Sequence, residues 1–355
     1  VRFHRALPLS APARVSVVVP CYRYGRYLHD VVASALDQPG LDVDVLVVDD
    51  ASPDDSAAIA HAIAEEEPRV RVVVNDPNLG HIATYNRGIA EVTGDYVVLL
   101  SADDLLTPGS LTRSVALMQA HPSVGLAYGY PLEFRGQPPT TRSGPATWIT
   151  WPGHEWLHVF CRRGRNLVFN PEVVLRREVM AELGAYDPAL PHGADMDLWM
   201  RTALHWDVGR VVGPEQGLYR QHDDNMHVES FGGVLDDLVG RRLVFDRVLL
   251  VSARDVVAPP ERRRLHATAY RALAREAVDL AIRTVDGGHP EAAVRCKQYL
   301  AFAEETWPAV RHGRAWQAAV GRLGGGSSAL RARAGETARQ VRDSARWRVW
   351  RRLGV

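Results

Sequence analysis

A chain of 355 residues suits roughly two domains at ~150 residues each. With 46% apolar and 24% charged residues it can bury a full core without disulfide or metal staples. Its 42 basic and 42 acidic side chains cancel, which argues against a whole-protein nucleic-acid binder. The basic residues are Arg except for Lys297. Cys21, Cys161 and Cys296 are odd in number and widely spaced; they match no zinc spacing and suit a reducing compartment. No run approaches the ~18 apolar residues of a spanning helix. The N-terminal VRFHRALPLSAPAR carries Arg, His and Pro where a signal peptide has its apolar core. The expectation is a cytoplasmic protein, at most peripheral to a membrane.

The first hundred residues alternate between two kinds of segment. Val15–Val19, Val43–Asp49, Val70–Asn75 and Tyr96–Leu100 read as strands apolar on both faces. Tyr27–Leu36, Asp54–Glu67 and His81–Glu91 read as helices between them. This alternation predicts a parallel sheet wrapped by helices, with a ligand site at the strand C-terminal ends. Next, Thr107–Gln119 reads as a helix with Pro108 in its first turn. Val124–Tyr130 reads as a strand, and the Gly-, Pro-, Thr- and Ser-containing stretch Arg135–Trp151 as a loop. His154–Cys161 and Arg177–Leu183 are predicted short helices around a strand at Val173–Leu175. A helix at Met196–Leu204 precedes strands at Val208–Val212 and Gly217–Arg220. Beyond Phe231 only helices are predicted, at Leu235–Val251, Glu261–Val285 and Pro290–Glu305. Gly324–Ser328 has linker composition, and 329–353 is strongly basic.

Two acidic clusters fall where the sheet places a ligand. Asp49-Asp50-Ala51-Ser52-Pro53-Asp54-Asp55 follows the second strand, and Ser101-Ala102-Asp103-Asp104 follows YVVLL. Carboxylates at that edge suit a divalent cation holding a diphosphate, because Mg²⁺ or Mn²⁺ takes one or two carboxylates and fills its other positions with phosphate and water oxygens. Turn and helix-cap roles are the alternative, above all for Asp54 or Asp55. Pro20-Cys21-Tyr22-Arg23-Tyr24-Gly25 after the first strand is not a dinucleotide fingerprint, and GxxxxGK[ST] is absent. The Gly-rich loop by which sugar nucleotidyltransferases hold a triphosphate is also missing.

Five blocks in order carry a resemblance: VSVVVPCYRYGRYLHDVVASAL, VLVVDDASPDDS, NLGHIATYNRGIAEVTGDYVVLLSADD, GADMDLWMR and LYRQH. Across residues 13–225 the chain resembles the family 2 glycosyltransferases. The resemblance implies a GT-A fold: a mostly parallel α/β sheet wrapped by helices, here with a C-terminal all-helical extension. Together with the all-helical pattern and basic composition beyond residue 230, it divides the chain into an N-terminal arm (1–12), a GT-A domain (13–230, nucleotide half 13–104, acceptor half 105–230), a helical extension (231–312) and a basic tail (313–355). It implies inverting transfer of a sugar from a nucleotide diphosphate sugar, with UDP or dTDP favoured, to an acceptor hydroxyl, with Mg²⁺ or Mn²⁺. By position Pro20, Tyr22, Asp49 and Asp50 match the nucleoside pocket, Asp50 as the base-binding carboxylate. Asn78, Gly80 and Asn86 match the next nucleotide-side loop. Ser101, Ala102 and Asp103 match the metal motif, with Asp103 and His222 as metal-side residues. Asp195 matches the general base, and Leu198, Trp199 and Thr202 would line the inner side of its helix.

Three positions depart from the family pattern. Ser101 stands for the first Asp of the metal motif, Ala194 for an acid before the base, and Tyr85 for the Arg before Asn86. The acceptor-side candidates are Trp148, Trp151, Trp156, His192 and Trp199, with core packing the alternative for the tryptophans. A non-catalytic nucleotide-sugar-binding protein, or a docking partner for a carrier, is the competing class.

Between Arg311 and Val355 eleven Arg face only Glu336 and Asp343, a surplus of nine positive charges. On a helical wheel Leu330, Ala334, Ala338, Val341 and Ala345 share one side, Arg331, Arg339, Arg342 and Arg346 the adjacent one. With Trp347 and Trp350 this pattern suits an anionic membrane surface; a helix docked on acidic protein surface is the alternative.

Overall fold

The structure is a computed structural model. It describes residues 1–142, 144–168, 170–223, 233–288, 291–323, 341, 343–345 and 347–350. The chain divides into two compact units, residues 1–157 with 167–225, and residues 158–166 with the chain from 226 to 353.

The first unit is built on a sheet of nine strands. Its N-terminal half holds β1 (Arg2–Arg5), β2 (Arg14–Cys21), β3 (Asp42–Asp49), β4 (Val70–Val74) and β5 (Tyr96–Leu99), with helices α1 (Gly25–Leu36), α2 (Ser56–Glu66) and α3 (His81–Glu91) between the last four strands. β2, β3, β4 and β5 pair in parallel, Val17 opposite Val45 and Val98. β2, β5 and the second half of β3 are largely apolar runs buried on both faces, whereas the edge strand β4 is only partly covered. One face packs Val15, Val17 and Val19 with Leu28, Val31, Val32 and Ala35 of α1 in a single core cluster. The other receives α3 at close range. A Cβ on Gly88 would lie 2.3 Å from Val18 Cγ1 and 3.2 Å from Val48 Cγ2, so only glycine fits there.

The rest of the unit adds β6 (Leu105–Leu106), α4 (Ser110–Ala120), β7 (Val124–Tyr128), β8 (Pro131–Phe134), β9 (Thr147–Trp151), α5 (Gly153–Arg163), β10 (Val174–Arg176), α6 (Arg177–Leu183), α7 (Ala194–His205), β11 (Asp207–Val212) and β12 (Gly217–Arg220). The large sheet runs β1-β9-β11-β7-β10-β5-β2-β3-β4, with β10 antiparallel between β5 and β7. A small sheet runs β6-β12-β8.

The C-terminal part of the expected loop, Thr147–Trp151, is instead the strand β9, paired antiparallel with β11 and with β1. Neither β1 (RFHR) nor β9 (TWITW) has an apolar run of its own. β9 is made of Thr, Trp and Ile, all strand formers, whereas β1 becomes a strand because its backbone groups find a partner in β9. Trp148, Trp156 and Trp199 are 1%, 0% and 0% exposed, and Trp151 is 8% exposed. These rings are core packing and present no open face to an acceptor, which corrects their acceptor-side expectation. Leu198 and Thr202 of α7 are buried with Trp199.

The second unit is helical: α8 (Val234–Asp246) continuing as a π-helical turn (Arg247–Ser252), α9 (Pro259–Asp286), α10 (Ala292–Thr306), a 3₁₀ turn (Pro308–His312) and α11 (Arg314–Leu323). α9 opens on Pro259 and Pro260, whose missing N–H groups cost nothing in a first turn, and buries Leu265, Ala269, Leu273 and Ala277 at four-residue spacing. Within this unit the buried Arg241 guanidinium is held by Asp237 at 2.7 Å and Glu276 at 3.0 Å. Among the described residues no helix is long and apolar enough to cross a membrane. Of the basic tail, Leu330, Arg331, Ala334, Ala338, Arg339, Arg342 and Arg346 lie outside the described residues, as does the Gly324–Ser328 linker.

Candidate active site

The parallel strands end on one edge, Cys21 beside Asp49 and Asp49 beside Val74. Asp50 is buried at this edge, and both its oxygens accept hydrogen bonds. Asn75 Nδ2 (2.7 Å) and Leu79 N (2.8 Å) donate to one, Gly80 N (2.9 Å) to the other. Asp50 is therefore a clamp that shapes the 75–80 turn and sits at the N-terminus of α3, where a negative charge is favoured. Asp49 differs. Its Oδ1 accepts Ser52 N at 3.0 Å, while Oδ2 is buried with no hydrogen-bond partner among the described residues. An orphaned buried acceptor requires an explanation. Asp49 thus keeps one oxygen without a partner, whereas both oxygens of Asp50 are engaged, Oδ2 by a single donor. Asp54 takes the capping role, its Oδ1 accepting both Ser56 N and Ser56 Oγ.

The flanking loops are fixed by short-range bonds. Asn78 donates from Nδ2 to the Asp50 carbonyl and accepts Gly80 N on Oδ1. Gly80 adopts φ +82°, a conformation that costs glycine little. Asn86 grips the backbone of Tyr186 from both ends of its amide, donating at 2.9 Å and accepting at 3.0 Å. Asn86 thereby positions the Tyr186 segment, and each amide atom keeps one further hydrogen-bonding site. Among the described residues Arg23 (φ 61°) and Ala51 (φ 56°) are the two non-glycine residues in the left-handed region. They lie on adjoining loops of this edge, tied by the bond from Arg23 N to Ser52 Oγ. Tyr22 is 45% exposed beside them, and Pro20 is partly exposed.

The second cluster follows β5. Ala102 is buried and Ser101 partly open. β12 pairs antiparallel with β6, Leu218 opposite Leu105, so the chain after Leu218 runs back alongside Asp104 and Asp103. His222 Nε2 then lies 3.1 Å from Asp103 Oδ2. Arg220 N donates to Asp104 Oδ1 at 2.9 Å and Arg220 Nε to the Asp103 carbonyl at 2.8 Å. The guanidinium of Arg220 stands 4.7 Å from the ring centres of both Tyr27 and Phe134, and the His222 ring packs 5.5 Å from Tyr24 and Tyr27. Burial pushes the Asp103 carboxyl above its usual range against the opposing pull of His222. Asp104 is pushed well above it by burial and by Asp103.

Asp195 sits in the first turn of α7, partly exposed, its Oδ1 accepting Met196 N at 2.7 Å. Tyr85 connects it to the second cluster. Burial, then the charges of Asp104, Asp103 and Asp195, push the buried Tyr85 hydroxyl upward against the opposing hydrogen bond with Ser101. His192 is exposed, and its neighbour Pro191 places its carbonyl 3.2 Å from His81 Nε2.

Among the described residues no group of three or more His, Cys, Asp or Glu could hold a metal ion. Asp103 and His222 offer two donors on adjacent segments. Two donors fit Mg²⁺ or Mn²⁺, which keeps several positions for phosphate and water oxygens. The sequence reading did not reach Arg220, Asn170, Glu172 or Tyr186. Arg220 stands inside LYRQH; the other three carry no motif and are recognised only by their neighbours.

Comparison with known proteins agrees with this geometry. Residues 16–178 match the family described as glycosyl transferase family 2. An uncharacterized glycosyltransferase of Nostoc sp. is 28% identical over 222 residues, 61% of this chain and 67% of that protein. The mannosyltransferase PcManGT of Pyrobaculum calidifontis, solved with GDP-Man and Mn²⁺, superposes with a TM-score of 0.53 at 18% identity, covering 99% of this chain and 87% of its own. Residues 1–349 of TarS from S. aureus, solved with UDP-GlcNAc, superpose with a TM-score of 0.55 at 16% identity, covering 84% and 92%. The fold is GT-A, and residues 16–178 match the family described as glycosyl transferase family 2.

Proposed function

We propose that the protein transfers a sugar from a nucleotide diphosphate sugar to an acceptor hydroxyl with inversion at the anomeric carbon. One observation carries the reading. His222 Nε2 lies 3.1 Å from Asp103 Oδ2 just beyond the C-terminal end of β5, at the sheet edge where Asp49 closes β3 with its Oδ2 buried and without a hydrogen-bond partner among the described residues. Asp103 with His222 forms the diphosphate side and Asp195 the acceptor side. Asp195 takes the acceptor proton as the oxygen attacks; the bond to the anomeric carbon forms while the bond to the diphosphate breaks, and its electron pair leaves with the diphosphate. Mg²⁺ or Mn²⁺ bound by Asp103 and His222 would supply charge stabilisation for that leaving group. Arg220 holds the Asp103 backbone in place. The buried, unpartnered Asp49 Oδ2 suits the imide N–H of a pyrimidine base, which favours UDP or dTDP donors; GDP-Man and UDP-GlcNAc are the ligands of the two solved neighbours.

The test is turnover with the anomeric configuration of the product read by NMR. Asp195→Asn keeps the side-chain shape and should lower turnover by ~10²-fold or more, the usual worth of a positioned base, with donor affinity nearly unchanged. Retained configuration, or wild-type turnover in the Asn variant, overturns the reading.

A further inference from the structure

Arg201 closes the GADMDLWMR block, and the reaction above gives it no role. It stands further along α7 from Asp195, and each nitrogen of its guanidinium is engaged. Nε donates to Asp197 Oδ2 at 2.7 Å, an ion pair within the helix whose side chains are 12% and 1% exposed. Nη1 donates to the Leu183 carbonyl at 2.6 Å and Nη2 to the Ala185 carbonyl at 2.7 Å. Leu183 ends α6, whose last carbonyls have no partner within their own helix. The next residue, Tyr186, is held from a different helix. Asn86 of α3 donates to its carbonyl at 2.9 Å and accepts its N–H at 3.0 Å. Further on, His81 of α3 places Nε2 3.2 Å from the Pro191 carbonyl. Gly193 N then donates to the Leu190 carbonyl at 3.0 Å, directly before α7 begins at Ala194. The segment 183–193 is thus tied to α7 by Arg201 and to α3 by Asn86 and His81, and Asp195 follows it in the first turn of α7. The N-cap of α3 has an anchor of its own, because Gly80 N donates to Asp50 Oδ2 at 2.9 Å. One helix therefore grips both the sheet edge and the segment that delivers Asp195.

Resting on the function proposed above, we propose that Asn86 and Arg201 are positioning residues for Asp195. They fix segment 183–193 against α3 and α7, and so fix the base against the sheet edge. An amide that bonds both backbone groups of one residue sets register as a neighbouring strand does. A guanidinium fork fixes two carbonyls at once, which an ammonium does not reproduce. A displacement of ~1 Å in a reacting group costs on the order of 10²-fold in rate. A direct contact of Asn86 with the nucleotide, the expectation from its place in the sequence, has a different signature: loss of donor affinity.

The experiment uses the full chain with Mn²⁺ and two donors, UDP-GlcNAc and GDP-Man. Calorimetry gives donor affinity, and release of nucleoside diphosphate gives turnover. Asn86→Ala should lower kcat by about tenfold or more and change donor Kd by less than about twofold. Arg201→Lys should behave alike. In the Asp195→Asn background, Asn86→Ala should cost less than about threefold further, because a base that is absent has no position to lose. A role confined to fold stability leaves the two losses multiplying. Circular dichroism checks folding, and the Asn86 cycle carries the test where Arg201→Lys does not fold. Donor affinity lost in Asn86→Ala, kcat unchanged in that folded variant, or its full loss repeated in the Asp195→Asn background overturns the inference while leaving the proposed function standing. A wild type that binds neither donor, or an Asp195→Asn variant with wild-type turnover, overturns the proposed function, and this inference with it.

Discussion

Glu172 is a buried carboxyl, and replacing it has a calculable effect. It precedes β10, is 2% exposed, and neither carboxylate oxygen has a hydrogen-bond partner among the described residues. Burial raises it from 4.5 to about 8, with its own backbone N–H and then Arg210 offsetting part of the rise. The folded protein therefore keeps a proton that the unfolded chain releases. Stability from this group is complete below the unfolded value and is lost as pH rises towards the folded one. At ~1.4 kcal/mol per tenfold change in protonation, the loss between pH 5 and pH 8 is roughly 3.5 kcal/mol. Glu172→Gln keeps the shape and cannot ionise. Denaturant unfolding of both proteins at pH 5, 6, 7 and 8 should show the variant gaining on the wild type as pH rises, by that order across the range. Titrations common to both proteins cancel in the difference. Parallel pH profiles would refute the reasoning, because a Glu172 that ionises normally leaves no pH-dependent gap.

Asp103→Ala should weaken metal-dependent donor binding and lower turnover together, whereas Ser101→Asp should tighten Mn²⁺ binding by adding a carboxylate; calorimetry with and without Mn²⁺ checks both. Asp49→Asn should weaken nucleoside diphosphate binding with little effect on the melting temperature. Asp50→Asn should show the opposite bias, because it weakens a carboxylate that accepts three hydrogen bonds, each worth ~1.5–3 kcal/mol when one partner is charged. Burial raises the Cys21 thiol to about 11 and the Cys161 thiol to about 12, so neither should react with iodoacetamide in the native protein at pH 7.5. Mass spectrometry should find both labelled only after denaturation.

Two departures noted separately in the sequence, Tyr85 and Ser101, turn out to be neighbours at 3.4 Å. The sequence separates them by sixteen positions, and only the meeting of α3 with the loop after β5 reveals that they form one surface. Asp49 and Asp50 illustrate a finer limit. Adjacent identical residues carry identical chemistry on paper, and which one is engaged by the backbone depends on how the 75–80 turn closes over the strand end. The tryptophans are a similar case, since a large aromatic residue in a polar stretch reads alike as a binding face or as core until its neighbours are placed.

What the sequence determined by itself is the part set by local chemistry. The β-branched runs dictated β2 to β5, the helix formers between them dictated the crossovers, and chirality then put Asp49, Asp50 and Asp103 on one edge. What only the tertiary structure decided is whatever depends on partners distant in the chain: β1, which is a strand because it pairs with β9; Arg220 and His222, brought to Asp103 by the pairing of β12 with β6; and Glu172, whose proton affinity is a property of its burial. Periodicity and propensity act over a few residues, whereas pairing, desolvation and hydrogen-bond saturation act between segments that the sequence keeps a hundred residues apart.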